Sequence, residues 1–216
     1  MIHSKKKALL MMVCAVMLVL VSVMGTMAYL TSQDTVTNTF TVGKVAITLD
    51  EAKANADGSL FDQGATRVKA NNYKLLPGHT YAKDPMVTVL EGSENSYIKM
   101  TVTFTKAAEL DAIFAPAGAD MTSIFNGYDG SNWIVKDVTK DTVKNTRTYE
   151  FWYKEAVAAP SENVPLDALF DSIAVPGSIT NEQLATIEGM TITVNAYAIQ
   201  ADGFATPEAA WAAFHA

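Results

Sequence analysis

The stretch Tyr97-Ile98-Lys99-Met100-Thr101-Val102-Thr103-Phe104-Thr105 alternates without a break, with Ile98, Met100, Val102 and Phe104 on one parity and polar residues or Tyr97 on the other. Successive side chains of a β-strand point to opposite faces, so the pattern predicts a strand with one dry and one wet side. Two further runs read the same way. Ile192, Val194, Ala196 and Ala198 share a parity between Thr191 and Gln200, as do Tyr149, Phe151 and Tyr153 between Arg147 and Lys154. In Thr39 to Leu49 the parity changes: Phe40 and Val42 keep one, while Val45, Ile47 and Leu49 keep the other. The slip falls at Gly43-Lys44, where one inserted residue would return the apolar set to the same side, so a β-bulge is predicted there.

Between these runs the punctuation is of the turn kind. Pro77-Gly78 suits the two central positions of a type II turn, fixed φ followed by positive φ, and Glu91-Gly92-Ser93, Asn126-Gly127 and Asp129-Gly130 mark further breaks. Helix formers with 3.6-residue periodicity occupy Ala107 to Phe114 and Asn181 to Gly189, with a weaker candidate at Pro165 to Ile173. Thr206-Pro207-Glu208 supplies an N-cap, a first-turn proline and an early acid for a helix to Phe214, which Trp211 and Phe214 would dock. Short strands, turn signals and the lack of a repeating βαβ pattern predict an all-β fold: an antiparallel β-sandwich or jelly roll of seven to nine strands with short helices inserted in loops. Segments 107–130 and 155–189 read as poorly patterned insertions in one domain, 39–216.

Lys5, Lys6 and Lys7 precede an apolar run from Ala8 to Val23, and Gly25-Thr26-Met27-Ala28 then places small residues two apart. This is the layout of a cleavable signal peptide, residues 1–28, with the cut after Ala28 and a flexible segment, 29–38, behind it. An uncleaved anchor is the competing reading, since a span needs roughly 20 apolar residues. The whole chain carries a net charge of −7; the expected cut removes three of the 16 basic residues and none of the 23 acidic ones, leaving −10. Such acidity gives no electrostatic footprint for nucleic acid and repels anionic lipid, so membrane contact is expected only through the uncleaved leader. The sole cysteine, Cys14, leaves with the leader, so stability of the secreted part must come from packing.

Catalytic patterns are sparse. A catalytic zinc takes about three protein ligands, and beyond the leader the only histidines are His79, after a Pro-Gly turn, and the penultimate His215. The sequence holds no His-Glu-x-x-His and no Gly-x-Ser-x-Gly. Acidic residues are plentiful, but nothing sets one glycosidase-like pair apart from surface charge. No enzyme, cofactor or resident metal is therefore expected. Asn55-Ala56-Asp57-Gly58-Ser59, with Asp50, Glu51 and Asp62 nearby, has the oxygen ligands and glycine of a calcium loop without the spacing of an EF-hand, and reads as a solvated hairpin loop. Tyr149, Trp152 and Tyr153 suggest a sugar-stacking platform, but Tyr149 and Tyr153 share the parity of Phe151 and read as core; only Trp152 faces the other way. Trp133 and Trp211 read as packing residues.

Three stretches resemble the exported fibre proteins related to TasA and camelysin, whose precursors are cut by the signal peptidase SipW. They are Gly25-Thr26-Met27-Ala28-Tyr29-Leu30 at the cut; Phe40-Thr41-Val42-Gly43 leading into Ile47-Thr48-Leu49-Asp50; and Leu75-Leu76-Pro77-Gly78 followed by Lys83-Asp84. The end, Ala196 to Phe204, is similar to other members of this signal-peptide class, and together the three motifs cover about the first 105 residues. The resemblance implies a jelly-roll subunit secreted by a Gram-positive bacterium into its surface layer or biofilm matrix. There it would polymerise with itself when the freed segment of one copy completes a sheet of the next. Segment 29–38, including Tyr29, Leu30, Thr31, Thr35 and Val36, is short, Thr-rich and free of proline, as a donor strand requires. The rival readings are a monomeric surface adhesin or glycan-binding module, and a camelysin-like metalloprotease.

Overall fold

Ile98, Met100, Val102 and Phe104, the apolar side of the most regular run, are all buried along one ten-residue strand. This is seen in a computed structural model that describes residues 2–27, 43–59, 61, 66–114 and 125–214, with side chains of the first helix described at 5–18. The chain divides into two units, Met1–Thr41 and Val42–Ala216. In the first, helix α1 spans Ile2–Met27, with Leu9, Leu10, Val16, Leu18 and the Cys14 thiol exposed. Among the described residues no helix is long and apolar enough to cross a membrane. Gly25 and Thr26 lie in α1, whereas Ala28, Tyr29, Leu30, the remainder of 29–38 and Phe40 lie outside the described residues.

The second unit is an all-β sandwich with short helices. Its strands are β1 (Ile47–Ala52), β2 (Arg67–Val68), β3 (Thr80–Ala82), β4 (Met86–Val89), β5 (Ser96–Thr105), β6 (Phe125–Asn126), β7 (Trp133–Asp141), β8 (Thr146–Tyr153), β9 (Val164–Pro165), β10 (Ser172–Ala174) and β11 (Ile192–Gln200). They form three antiparallel sheets, ordered β2-β1-β4-β9, β3-β10-β6 and β11-β5-β8-β7. Inward side chains of all three share one core: Val87 and Val89 from β4, Tyr81 and Ile173 from β3 and β10, and the apolar parity of β5 and β8. Phe125 sits at its centre, stacked on Phe170 at 4.3 Å and meeting Phe104, Tyr149 and Phe151 at 5.6–6.4 Å. Trp133 is fully buried in the same cluster, as a packing residue.

Helix α2 spans Ala107–Phe114 as its periodicity predicts, and Asn145 holds its start: the Ala107 N–H donates to the Asn145 carbonyl and the Ala108 N–H to Asn145 Oδ1. Helix α3 covers Asn181–Thr186, shorter than the predicted 181–189, with Thr180 and Gln183 forming a reciprocal capping box. Helix α4 is Pro207–Ala213, and the Thr206 side chain accepts from Ala209 N–H. Trp211 and Phe214 dock it on the outer face of the β11-β5-β8-β7 sheet: Trp211 meets Trp152, Phe214 meets Tyr197, and Lys99 Nζ lies 4.8 Å from the Trp211 ring centre. A desolvated cation over an aromatic ring contributes up to about 2 kcal/mol.

Three expectations are corrected. Gly43-Lys44 does not bulge a strand; these residues precede β1, where the Glu94 N–H donates to the Lys44 carbonyl and the Glu94 side chain lies against Gly43. Pro165 to Ile173 is not a helix. Its amides are spent on neighbouring strands, Leu166 N–H on Val87 O and Leu169 N–H on Pro85 O, so no helical ladder forms. The described residues contain eleven strands, more than seven to nine, because β2, β6 and β9 have only two residues each and show no alternation to read. Both 107–130 and 155–189 supply buried side chains, Leu110 and Phe125 from the first and Leu166, Leu169, Phe170, Ile173, Val175 and Ile179 from the second.

Candidate functional site

The β11-β5-β8-β7 sheet has two long edges of opposite character. β7 carries Lys136, Asp137, Lys140 and Asp141, and its pairing with β8 shifts register between Val135 and Asp137. Charges and a bulge are the devices that keep an edge from accepting a further strand. β11 has neither. Its nine residues include no charge, glycine or proline, and it pairs with β5 in unbroken register from Ile192↔Phe104 to Gln200↔Ser96. Among the described residues no strand pairs with its other side. At ~3.4 Å per residue this is an edge about 30 Å long, with backbone donors and acceptors at every second residue.

The two faces beside that edge differ. Ile192, Val194, Ala196 and Ala198 pack inward against the core. Outward, a row of threonines crosses the sheet, Thr193 opposite Thr103, Thr103 opposite Thr148 and Thr148 opposite Thr139. Thr103 and Thr148 join through their hydroxyls at 2.9 Å, and Thr105 and Thr191 do so at 3.3 Å. Further along the same face, α4 covers Tyr197, Lys99 and Trp152. Trp152 thus faces away from Tyr149 and Phe151 as alternation predicts, yet Trp211 caps it, and the three rings do not make one platform.

The motif residues of β1 and of the turn before β4 meet in one polar cluster. Lys83 and Glu51, both buried, pair directly. Asn71 Nδ2 donates to Glu51 Oε1 at 3.0 Å. Arg67 bridges Asp50 and Asp84 at 2.7 and 2.6 Å, and Asp84 Oδ1 accepts the Ala52 N–H at 2.7 Å. Burial works against the Arg67 charge, but the hydrogen bonds it donates to both aspartates outweigh it and raise its pKa. Pro77-Gly78 makes its turn: Gly78 has φ +72°, and His79 N–H donates to Leu76 O at 3.3 Å. Leu49 pairs with Val87 within the ladder beside this cluster. Lys83 and Asp84 therefore fasten β1 to the chain entering β4, a structural role. Sequence reading missed Arg67 and Asn71, and set Glu51 beside the 55–59 loop rather than opposite Lys83. Glu51 carried a signal: it continues the inward parity of Ile47 and Leu49, where a charge demands a buried partner.

At the loop read as a calcium candidate, Asp57 Oδ1 accepts the Ser59 N–H and hydroxyl, and these bonds hold the Asp57 carboxyl below its usual value. Asp62 lies outside the described residues. Among the described residues no group of three or more His, Cys, Asp or Glu is placed to hold a metal ion. His79 packs 5.9 Å from the Tyr81 ring, and His215 lies outside the described residues.

No protein-family model, curated protein or solved structure matches this chain.

Proposed function

We propose that this chain is a secreted structural subunit of a Gram-positive cell surface or biofilm matrix. It polymerises by strand addition, the segment behind its leader pairing with the β11 edge of a second copy. The observation that carries this reading is the contrast between a charged, bulged β7 and an uncharged β11 that, among the described residues, is hydrogen-bonded to a strand on one side alone. The sequence of the incoming segment fits that edge. Thr35, Thr37, Thr39 and Thr41 alternate with Val36, Asn38, Phe40 and Val42. Added to β11, such a strand extends the threonine row on the outer face and sets Val36, Phe40 and Val42 beside the inward row of Ile192, Val194 and Ala196.

In this reading the sandwich is a jelly roll, and a SipW-type signal peptidase cuts after Ala28. The cut frees Tyr29 and the residues behind it, which a membrane-held leader would otherwise restrain. The chain is not an enzyme and needs no cofactor; its partners are other copies of itself. The monomeric glycan-binding alternative is disfavoured by the packing of Trp211 over Trp152, which occupies the aromatic surface a sugar would need.

Thr193 and Asn195 are exposed on β11, so lysine at both positions leaves the fold within about 1 kcal/mol of its original stability. The same change places two charges on the edge, and filaments seen by electron microscopy are expected to disappear. Undiminished filaments from the Thr193→Lys, Asn195→Lys chain would place the junction elsewhere.

A further inference from the structure

A cavity of about 700 Å³ opens where α2, α3 and the 71–75 segment meet the ends of β8, β10 and β11. That volume lies within the range of small-molecule sites, roughly 300–1,000 Å³. Leu110, Phe114, Leu184, Ile187 and Ile192 contribute apolar walls. Two polar groups of β8, Arg147 and Tyr149, also line it.

Tyr149 is fully buried, and its hydroxyl has no hydrogen-bond partner among the described residues. Burial raises its pKa, and the neighbouring Arg147 guanidinium, which can only donate, opposes that rise and leaves the phenol proton without an acceptor. The group is thus a neutral phenol with an unused proton. A buried donor left unpaired is costly, and native proteins rarely tolerate one without a ligand, water or functional reason.

Arg147 supplies charge. It pairs with Asp111, which also accepts Lys140 Nζ at 2.6 Å, so two cations share one carboxylate. Burial pushes the Asp111 carboxyl up, but hydrogen bonds from Lys140 and Arg147 outweigh it and hold it below the ordinary carboxylate value. Lys140 is largely exposed and lies outside the lining, so Arg147 is the cation that faces the cavity beside the phenol. Lys83, also in the wall, is neutralised by Glu51. Lys74 and Glu188, of opposite sign, are the other charged residues of the described lining.

We infer that this cavity binds an amphipathic carboxylate, its head on the Tyr149 hydroxyl and the Arg147 guanidinium and its hydrocarbon body against Leu110, Phe114, Leu184 and Ile187. A neutral acceptor would satisfy the phenol but make no charge-assisted bond with the Arg147 guanidinium; an inorganic anion would leave the apolar walls wet. The carboxylate satisfies both. The inference does not depend on the assembly reading.

The test is calorimetric titration of the full chain with decanoate, beside thermal melting with and without it. Decanoate is expected to bind and to raise the melting temperature. Tyr149→Phe keeps the ring and removes only the donor, so decanoate should bind about tenfold more weakly, the equivalent of one hydrogen bond. Without ligand the variant should melt no lower than the original chain, because it loses an unpaired buried hydroxyl. Decanol, with the same body and no charge, should bind at least about tenfold more weakly than decanoate. The inference is overturned if decanoate fails to bind, if it binds both forms equally, or if decanol matches it. Each of those results would mean that the polar end of the cavity recognises nothing.

Discussion

Replacing Lys83 with alanine is expected to destabilise the protein by about 3–5 kcal/mol, the range for removing one partner of a buried ion pair. Lys83 and Glu51 are 7% and 6% exposed, so the carboxylate left behind cannot be rehydrated without opening the junction between β1 and β4. Asn71 Nδ2 would remain its hydrogen-bond donor, but an amide does not cancel a charge. Urea denaturation should record the loss as a lower midpoint with little change in slope, since the surface exposed on unfolding is nearly the same. Glu51→Gln in the Lys83→Ala background removes the orphaned charge and is expected to recover part of the loss. A Lys83→Ala chain within about 1 kcal/mol of the original would mean that the pair is solvated and contributes as surface pairs do.

Phe125→Ala is expected to cost about 3–5 kcal/mol, the range for emptying a large aromatic site in a core. The ring, on β6, touches Phe104, Tyr149 and Phe151 of the β11-β5-β8-β7 sheet and Phe170 of the 155–189 segment, so its removal leaves a void no single side chain can fill. Phe170→Ala removes the ring stacked upon it at 4.3 Å, and the double variant should lose less than the two single losses combined, because both empty the same space. Chemical denaturation of the three variants measures this. A loss below about 1 kcal/mol for Phe125→Ala would make 107–130 a peripheral loop and contradict its place in the core.

Strands β5, β8 and β11 were legible because they are long, and alternation over eight to ten residues leaves one choice of inward face. Helices α2 and α4 were legible from periodicity and from Thr206-Pro207-Glu208. The third sheet was hidden for a physical reason: β6 and β10 are two and three residues long, and their side chains are ordered by neighbours distant in sequence rather than by a local period. Leu166, Leu169 and Phe170 have near-helical spacing, yet what fixes them is hydrogen bonding to Val87 and Pro85, which no local pattern encodes. β7 escaped because its bulge breaks the alternation. Lys83 and Asp84 were visible as a motif but mute as to role, since Glu51, Arg67 and Asn71 reach them only through tertiary contact. The contrast between β7 and β11 likewise needed the sheet order before either could be recognised as an edge.

Strand addition at β11 is tested most directly by comparing two purified chains under the electron microscope over a range of concentrations, one beginning at Tyr29 and one at Gly43. Filaments are expected from the first, and monomers that melt cooperatively from the second, which lacks the alternating threonine segment. A Tyr29 chain that stays monomeric, or a Gly43 chain that polymerises equally well, would contradict assembly through the freed segment.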